Sequence, residues 1–459
     1  MKQLQDYSFW FVTGSQDLYG EETLRQVAAN TQTMVDHWNT NAGLPSKLEV
    51  KEVVTSSAVF DQIVREANYD ESCAGIIVWG HTFSPSKMWI NGLKQLNKPY
   101  AHLHTQFNRQ IPNEGIDMDY MNLHQSAHAD REHAFIAARM RLPRAIIVGY
   151  WEDKRTTDQI DDWMRVAFTV ALSRNTRVVR FGDNMREVAV TEGDKVQTQI
   201  DLGWQVNTWA VGDLVEVMNA VTEDEIDALY ADYEAKYDIA TDNTDAIRYQ
   251  AREEIAIKRM LDAEGAGAFS NTFQDLWGMD QLPGLASQNL MDQGYGYAGE
   301  GDWKTAAMTH LLMAMGEGRP GGTTFIEDYT YDLTEGQELA LGSHMLEVSP
   351  RMAAERPRIE VHPLGIGNRP DPARLVFEGK PGPAILVSLV DMGNRLRLIT
   401  HEIEVVKPTL TMPNLPVARI MWRPEPDLYA GTKCWMLAGG AHHATLTQQV
   451  RWQQVRDWA

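Results

Sequence analysis

Two hydrophobic periods alternate along the first third of the chain. Ser8–Thr13 is a short aromatic and β-branched run that stops at Gly14, the composition of a buried strand. From Glu21 to about Asn39 the apolar positions Leu24, Val27, Ala28, Met34, Val35 and Trp38 recur at helical spacing. The alternation repeats. Ala74–Trp79 (AGIIVW) predicts a second buried strand, Ser86–Leu96 a helix after a Ser-Pro start, and Ala145–Gly149 (AIIVG) a third strand. Strand, loop and helix in succession imply a parallel sheet with helices on both faces. Sites on such sheets lie at the carboxyl ends of the strands, here Gly14–Tyr19 and His81–Phe83. These glycines do not form GxGxxG, so no dinucleotide site is expected.

Further along, Arg177–Phe181 predicts another strand, followed by two long helical stretches, Asp213–Tyr237 and Asn243–Glu264. The first is strongly acidic and reads as a solvated face serving solubility; the second is ended by Gly265–Gly267. From about Thr324 the texture changes. Ile359–Val361, Ala373–Phe377, Ala384–Asp391 and Arg395–Val406 carry alternating β-branched residues, with Gly393-Asn394 as a two-residue turn and prolines punctuating 408–426. The expected fold class is α/β. N-terminal and central doubly wound parallel-sheet domains, residues 1–175 and 176–323, precede an antiparallel β-domain over 324–459.

Composition narrows the function. A chain of 459 residues is long enough for two or three domains, each with its own core. Sixty-three acidic against 42 basic residues give a net charge of −21, which disfavours nucleic acid, an anionic membrane surface or a polyanionic substrate and is compatible with a neutral sugar. Two cysteines, Cys73 and Cys434, are too few for a disulfide framework. The first residues lack the apolar core of a signal peptide, and no 18-residue apolar run occurs. A cytoplasmic protein is expected.

Four separated stretches each centre on a good metal ligand: Glu300 in GEGDW, Glu327 in FIEDYTY, His344 in GSHMLEV, and the histidines of GGAHH, His442 and His443. Two carboxylates and two imidazoles suit a borderline divalent ion such as Mn²⁺, and the bordering glycines let backbone approach closely. No pair shows the i, i+4 placement of a helical metal motif, so each residue taken singly also reads as a cap or a hydrogen-bonded polar group. His124, His128 and His133 in HQSAHADREH sit in a surface-like stretch without a carboxylate pattern and are not read as a metal cluster.

Identity adds what spacing cannot. FWFVTGSQDLYG (9–20), WGHTFSPSKMWINGL (79–93), HTQFN (104–108), FGDNMREVAVTEGDKV (181–196), NTWAVGDLV (207–215), QGYGYAGEGDWKTAA (293–307) and GGAHH together resemble the L-arabinose isomerase family over nearly the whole chain. The resemblance implies a ligand set of Glu300, Glu327, His344 and His443, the second histidine of GGAHH, around one Mn²⁺ per subunit. It implies a substrate pocket of Gln16, Leu18, Tyr19, Phe83, Met185 and Phe273. His128 would be lent to a neighbouring subunit of a homo-oligomer, a hexamer or tetramer. For Leu18, Phe83, Met185 and Phe273 the alternative is ordinary core packing.

The implied chemistry is the conversion of L-arabinose to L-ribulose through a metal-stabilised enediol(ate). A proton moves from C2 to C1, one hydrogen leaves a hydroxyl and another reaches the carbonyl oxygen, with Glu300 and Glu327 as the general base and acid. A non-catalytic sugar-binding protein on the same scaffold needs no such ligand set. A metal-dependent lyase or epimerase could share it. Family members usually continue a few tens of residues past the equivalent of Ala459, so part of the last domain is expected to be missing, with lower stability or activity.

Overall fold

Every residue of Ser8–Gly14 (β1) is buried, as the unbroken apolar run predicts for a central parallel strand. In the computed structural model, which describes residues 2–365 and 368–459, the chain divides into two units, Lys2–Ala171 and Leu172–Asp457. In the first, β1 is joined by Lys47–Val50 (β2), Cys73–Gly80 (β3), Tyr100–His104 (β4) and Ala145–Val148 (β5). They form one parallel sheet in the order β2-β1-β3-β4-β5. Helices Gly20–Asn41 and Ser57–Tyr69 connect its strands; the second is capped by the Ser56 hydroxyl. Trp10, Val12, Phe60, Ile63, Ile76, Val78 and Trp89 build a core on one face. The segment predicted as a single helix over 86–96 starts as a 3₁₀ turn, Ser86–Trp89, and becomes α-helical only over Ile90–Gln95.

The second unit contains Arg177–Phe181 (β6), Gln205–Trp209 (β7), Asp238–Ile239 (β8), Ala268–Ser270 (β9) and Gly296–Ala298 (β10). Four of these make a parallel sheet in the order β10-β9-β6-β7. The acidic stretch is two helices and not one. Val211–Asn219 ends before Thr222, which opens Glu223–Lys236 with a capping box to Glu225. Nor is its charge simply solvated: Glu223 pairs with Arg248 and Arg252, and Glu225 with Arg259.

Beyond residue 322 the period-2 runs become Thr323–Asp332 (β11), Leu339–Ser343 (β12), Arg358–Val361 (β13), Ala373–Val376 (β14), Gly382–Asp391 (β15), Leu396–Val406 (β16), Ile420–Pro424 (β17) and His443–Thr447 (β18). Six of them close into an antiparallel barrel, β11-β12-β17-β16-β15-β18. Gly393, at φ 81°, makes the turn between β15 and β16 as expected. β13 and β14 stand outside the ring, and β13 pairs in parallel with β8. Helices Leu428–Ala438 and Trp452–Trp458 complete the region. Among the described residues no helix is long and apolar enough to cross a membrane, and both cysteines are free.

Candidate metal centre

Glu300 follows β10 in a tight turn between two glycines. Its own backbone lies at φ 63° and that of Gly301 at φ 76°, a region where a non-glycine residue costs of order 1 kcal/mol or more. Both flanking glycines are required by contact. A Cβ on Gly299 would meet the His344 ring at 2.8 Å, and one on Gly301 would meet the backbone of Asn184 at 2.6 Å. The GEG triplet thus brings a carboxylate against an imidazole by letting backbone touch the ring.

His344 immediately follows β12, and His443 opens β18. Glu327 of β11 is the register partner of both Ser343 and His443. Barrel closure therefore brings His443 beside Glu327, a position more than a hundred residues earlier in the chain. Glu300, His344 and His443 each offer a ligand atom within 4.8 Å of the others, the one such group among the described residues. Glu327 lies outside that group, yet its charge is felt by His344 and His442. His442 is half-exposed, with Nε2 3.6 Å from Glu300 Oε2, while His443 is fully buried with Nε2 at 3.7 Å.

Each buried imidazole is oriented by its own carboxylate. Asp302 Oδ2 accepts from His443 Nδ1 at 3.1 Å, and Glu347 Oε2 accepts from His344 Nδ1 at 2.6 Å. That leaves Nε2 as the free nitrogen of His443, and it is buried with no hydrogen-bond partner among the described residues. An unsatisfied buried polar atom costs about 1–3 kcal/mol; a cation bound there would remove that cost. The donor set fits a divalent ion.

Electrostatics follow from the same contacts. Burial by itself would raise the Glu300 carboxyl, but His442, His443 and His344 outweigh it and lower its pKa. Burial likewise opposes the charged form of Asp302, yet Lys304 and His443 hold it well below the usual carboxylate range. Burial disfavours the His344 imidazolium, and Glu347, Glu327 and Glu300 more than compensate, so its pKa rises. His443 is pushed down by burial despite Asp302. Phe325 packs against both rings, with centroids 4.8 Å from His344 and 4.9 Å from His443.

Met185 and Phe273 belong to this same unit. The Met185 amide donates to the Glu300 carbonyl at 2.9 Å; Phe273 lies in the loop whose Asn271 carbonyl accepts from Gly301. Neither is a core residue; each is partly exposed. Gln16, Leu18, Tyr19, Phe83 and His128 belong to the other unit, at the carboxyl ends of β1 and β3. Leu18 is 83% exposed, which rules out core packing for it. Phe83 and His128 pack ring to ring at 4.6 Å, and Tyr19 reaches Gln125. The stretch around His128 is less surface-like than its sequence indicates: Asp130 and His133 are buried, Asp130 bonding His102 and His104 and His133 bonding Tyr100.

Asp302, Glu347 and Phe325 were not among the residues singled out from sequence. A carboxylate three positions after His344 and another two after Glu300 were the available signals.

Comparison with known proteins covers the chain from end to end. Models of the L-arabinose isomerase N-terminal, central and C-terminal domains match residues 3–175, 177–318 and 322–459. The L-arabinose isomerase of Thermotoga petrophila is 54% identical, that of Geobacillus kaustophilus 53% and that of Halalkalibacterium halodurans 51%. Each alignment spans 100% of this chain and 93% of the relative.

Proposed function

The chain belongs to the L-arabinose isomerase family, and from that premise we propose that it interconverts L-arabinose and L-ribulose at a centre built from Glu300, Glu327, His344 and His443. The observation that carries this reading is the buried, oriented His443 Nε2, which faces Glu300 at 3.7 Å and has no hydrogen-bond partner among the described residues. One Mn²⁺ per subunit suits two carboxylates and two imidazoles, and it would supply Lewis-acid polarisation of the sugar carbonyl and stabilisation of developing negative charge.

The protein's own part is proton management. Along an enediol route one carboxylate of the Glu300–Glu327 pair takes the proton from C2 and returns it at C1. The other moves a proton from O2 to O1, so that no net proton is gained or lost. The lowered Glu300 pKa keeps that group ionised and able to accept. By family resemblance, Gln16, Leu18, Tyr19 and Phe83 in one unit and Met185 and Phe273 in the other are read as sugar contacts, with His128 lent to a neighbouring subunit; apolar walls with a few fixing amides suit a small polyol. The exposure of Leu18 agrees with a homo-oligomer in which this surface is covered.

We assign domains 1–175, 176–323 and 324–459, supported by the change from parallel sheets to a barrel, and a cytoplasmic location, supported by composition. Ketopentose release from L-arabinose, measured after exhaustive chelation and again with Mn²⁺, tests the function. Turnover only with the ion is expected. Full turnover in protein shown to be metal-free would overturn the metal reading, and none under any condition would favour a binding protein.

A further inference from the structure

Lys304 is the second residue of the helix Trp303–Met315 and only 1% exposed. A lysine is almost never buried unless its charge is matched. Its Nζ donates to the carbonyls of Thr191 at 2.9 Å and Glu192 at 2.7 Å, and it lies 3.4 Å from Asp302 Oδ1. The other oxygen of Asp302 accepts from His443 Nδ1 and from the Thr305 hydroxyl. One ammonium group therefore joins two things: a turn of the segment 182–194, which carries Met185, and the carboxylate that orients His443.

Other contacts tie the same segment to the same turn. Asn184 Nδ2 donates to Thr191 O at 2.7 Å and to Gly301 O at 3.2 Å, and the Met185 amide donates to Glu300 O. Gly193 packs so closely that a Cβ there would meet Trp303 at 2.9 Å and Lys304 Cδ at 3.2 Å. Lys304 alone among these groups contacts both the segment's carbonyls and Asp302. With Oδ1 facing Lys304 and Oδ2 shared by His443 and Thr305, Asp302 is held on both oxygens.

We propose that Lys304 is a positioning residue that couples cation binding at the Glu300–His344–His443 centre to the ordering of the Met185 segment, a role that rests on the metal reading above. An ion that fixes His443 fixes Asp302, then Lys304, then the carbonyls of Thr191 and Glu192. The coupling is reciprocal: whatever loosens the segment weakens the ion.

Amide hydrogen exchange over 185–192, with and without Mn²⁺, reads the coupling directly. In the parent enzyme Mn²⁺ is expected to slow exchange there by about tenfold or more. In Lys304→Gln the slowing is expected to vanish, with Mn²⁺ bound roughly tenfold more weakly, the size of effect typical of groups that orient ligands. A residue that only stabilised the fold would lower the melting temperature and leave the Mn²⁺-induced slowing intact. Gly193→Ala perturbs the contact from the segment side and should act in the same direction; it decides the matter should Lys304→Gln not fold. Mn²⁺ binding to the parent without slowing of 185–192, or equal slowing in a folded variant, overturns the proposal. A parent that binds no Mn²⁺ overturns both this and the metal reading.

Discussion

Glu347 offers the sharpest test of the metal centre, because it is fully buried and acts on His344 from behind. Its carboxylate accepts from His344 Nδ1 at 2.6 Å, from the Leu346 amide at 2.8 Å and from the Tyr297 hydroxyl at 3.1 Å. Glu347→Gln keeps the shape. An amide oxygen can still accept from His344, and the amide NH₂ can donate to the Tyr297 oxygen, whose hydroxyl also bonds Asn271. The loss is then mainly the charge on the His344 bond. Bonds to a charged group contribute about 1.5–3 kcal/mol against about 0.5–1.5 for neutral ones, a difference of about 1 kcal/mol, or roughly five- to tenfold in affinity. Glu347→Leu removes every acceptor, frees the ring to rotate and should cost roughly 10- to 100-fold. Titration calorimetry of Mn²⁺ into chelator-stripped protein at fixed pH gives both numbers. The expected order is parent, Gln, Leu from tightest to weakest. Parent-like affinity in both folded variants would mean that His344 does not hold the ion, or that Glu347 does not orient it.

Glu300→Gln and Glu327→Gln should each keep appreciable Mn²⁺ and lose turnover by several orders of magnitude; a parent-like rate in either, measured as ketopentose release, would reduce that carboxylate to coordination alone. His443→Ala should weaken Mn²⁺ binding more than His442→Ala, since only His443 is buried and oriented by Asp302; the opposite ranking would move the ligand to His442. Burial pushes the Glu254 carboxyl up from 4.5 to about 7, against its bonds from Tyr233, Asn289 and Gln293. The folded protein then holds a proton that the unfolded chain has lost between those pH values, so stability falls as pH rises from 4.5 to 7, by about 3 kcal/mol. Glu254→Gln should lack this slope, and its melting temperature relative to the parent should climb across that window; parallel curves would show Glu254 ionised in the fold.

Strands that run through a core were legible because nothing in them alternates: β1 and β3 are buried throughout and read as continuous apolar runs. β4 was not recognised, since two of its five residues are histidines held by Asp130, a compensation supplied by a residue far along the chain that local pattern cannot reveal. The acidic helix pair was fused because Ala220–Thr222 breaks the helix by a capping box and not by glycine or proline. At the site, glycine spacing hinted at close approach, and Gly299 against His344 bears that out. Which residues meet was not readable from spacing. Glu300, His344 and His443 converge only because β18 lies beside β11 in a closed ring, a long-range pairing with no local signature.

That ring has a further consequence in time. β11 and β12 form a hairpin early in the chain order, whereas β18, which seals the barrel between β11 and β15, arrives more than a hundred residues later and carries His443 at its first position. A chain emerging from the ribosome in order displays Glu300, Glu327 and His344 well before the strand that brings their partner. Until β18 inserts, β11 and β15 present open edges that invite mispairing, and the proposed ligand set is one imidazole short. On the proposed metal reading, barrel closure and metal competence coincide, so a nascent chain would not hold an ion in a finished cage before the surrounding fold is in place.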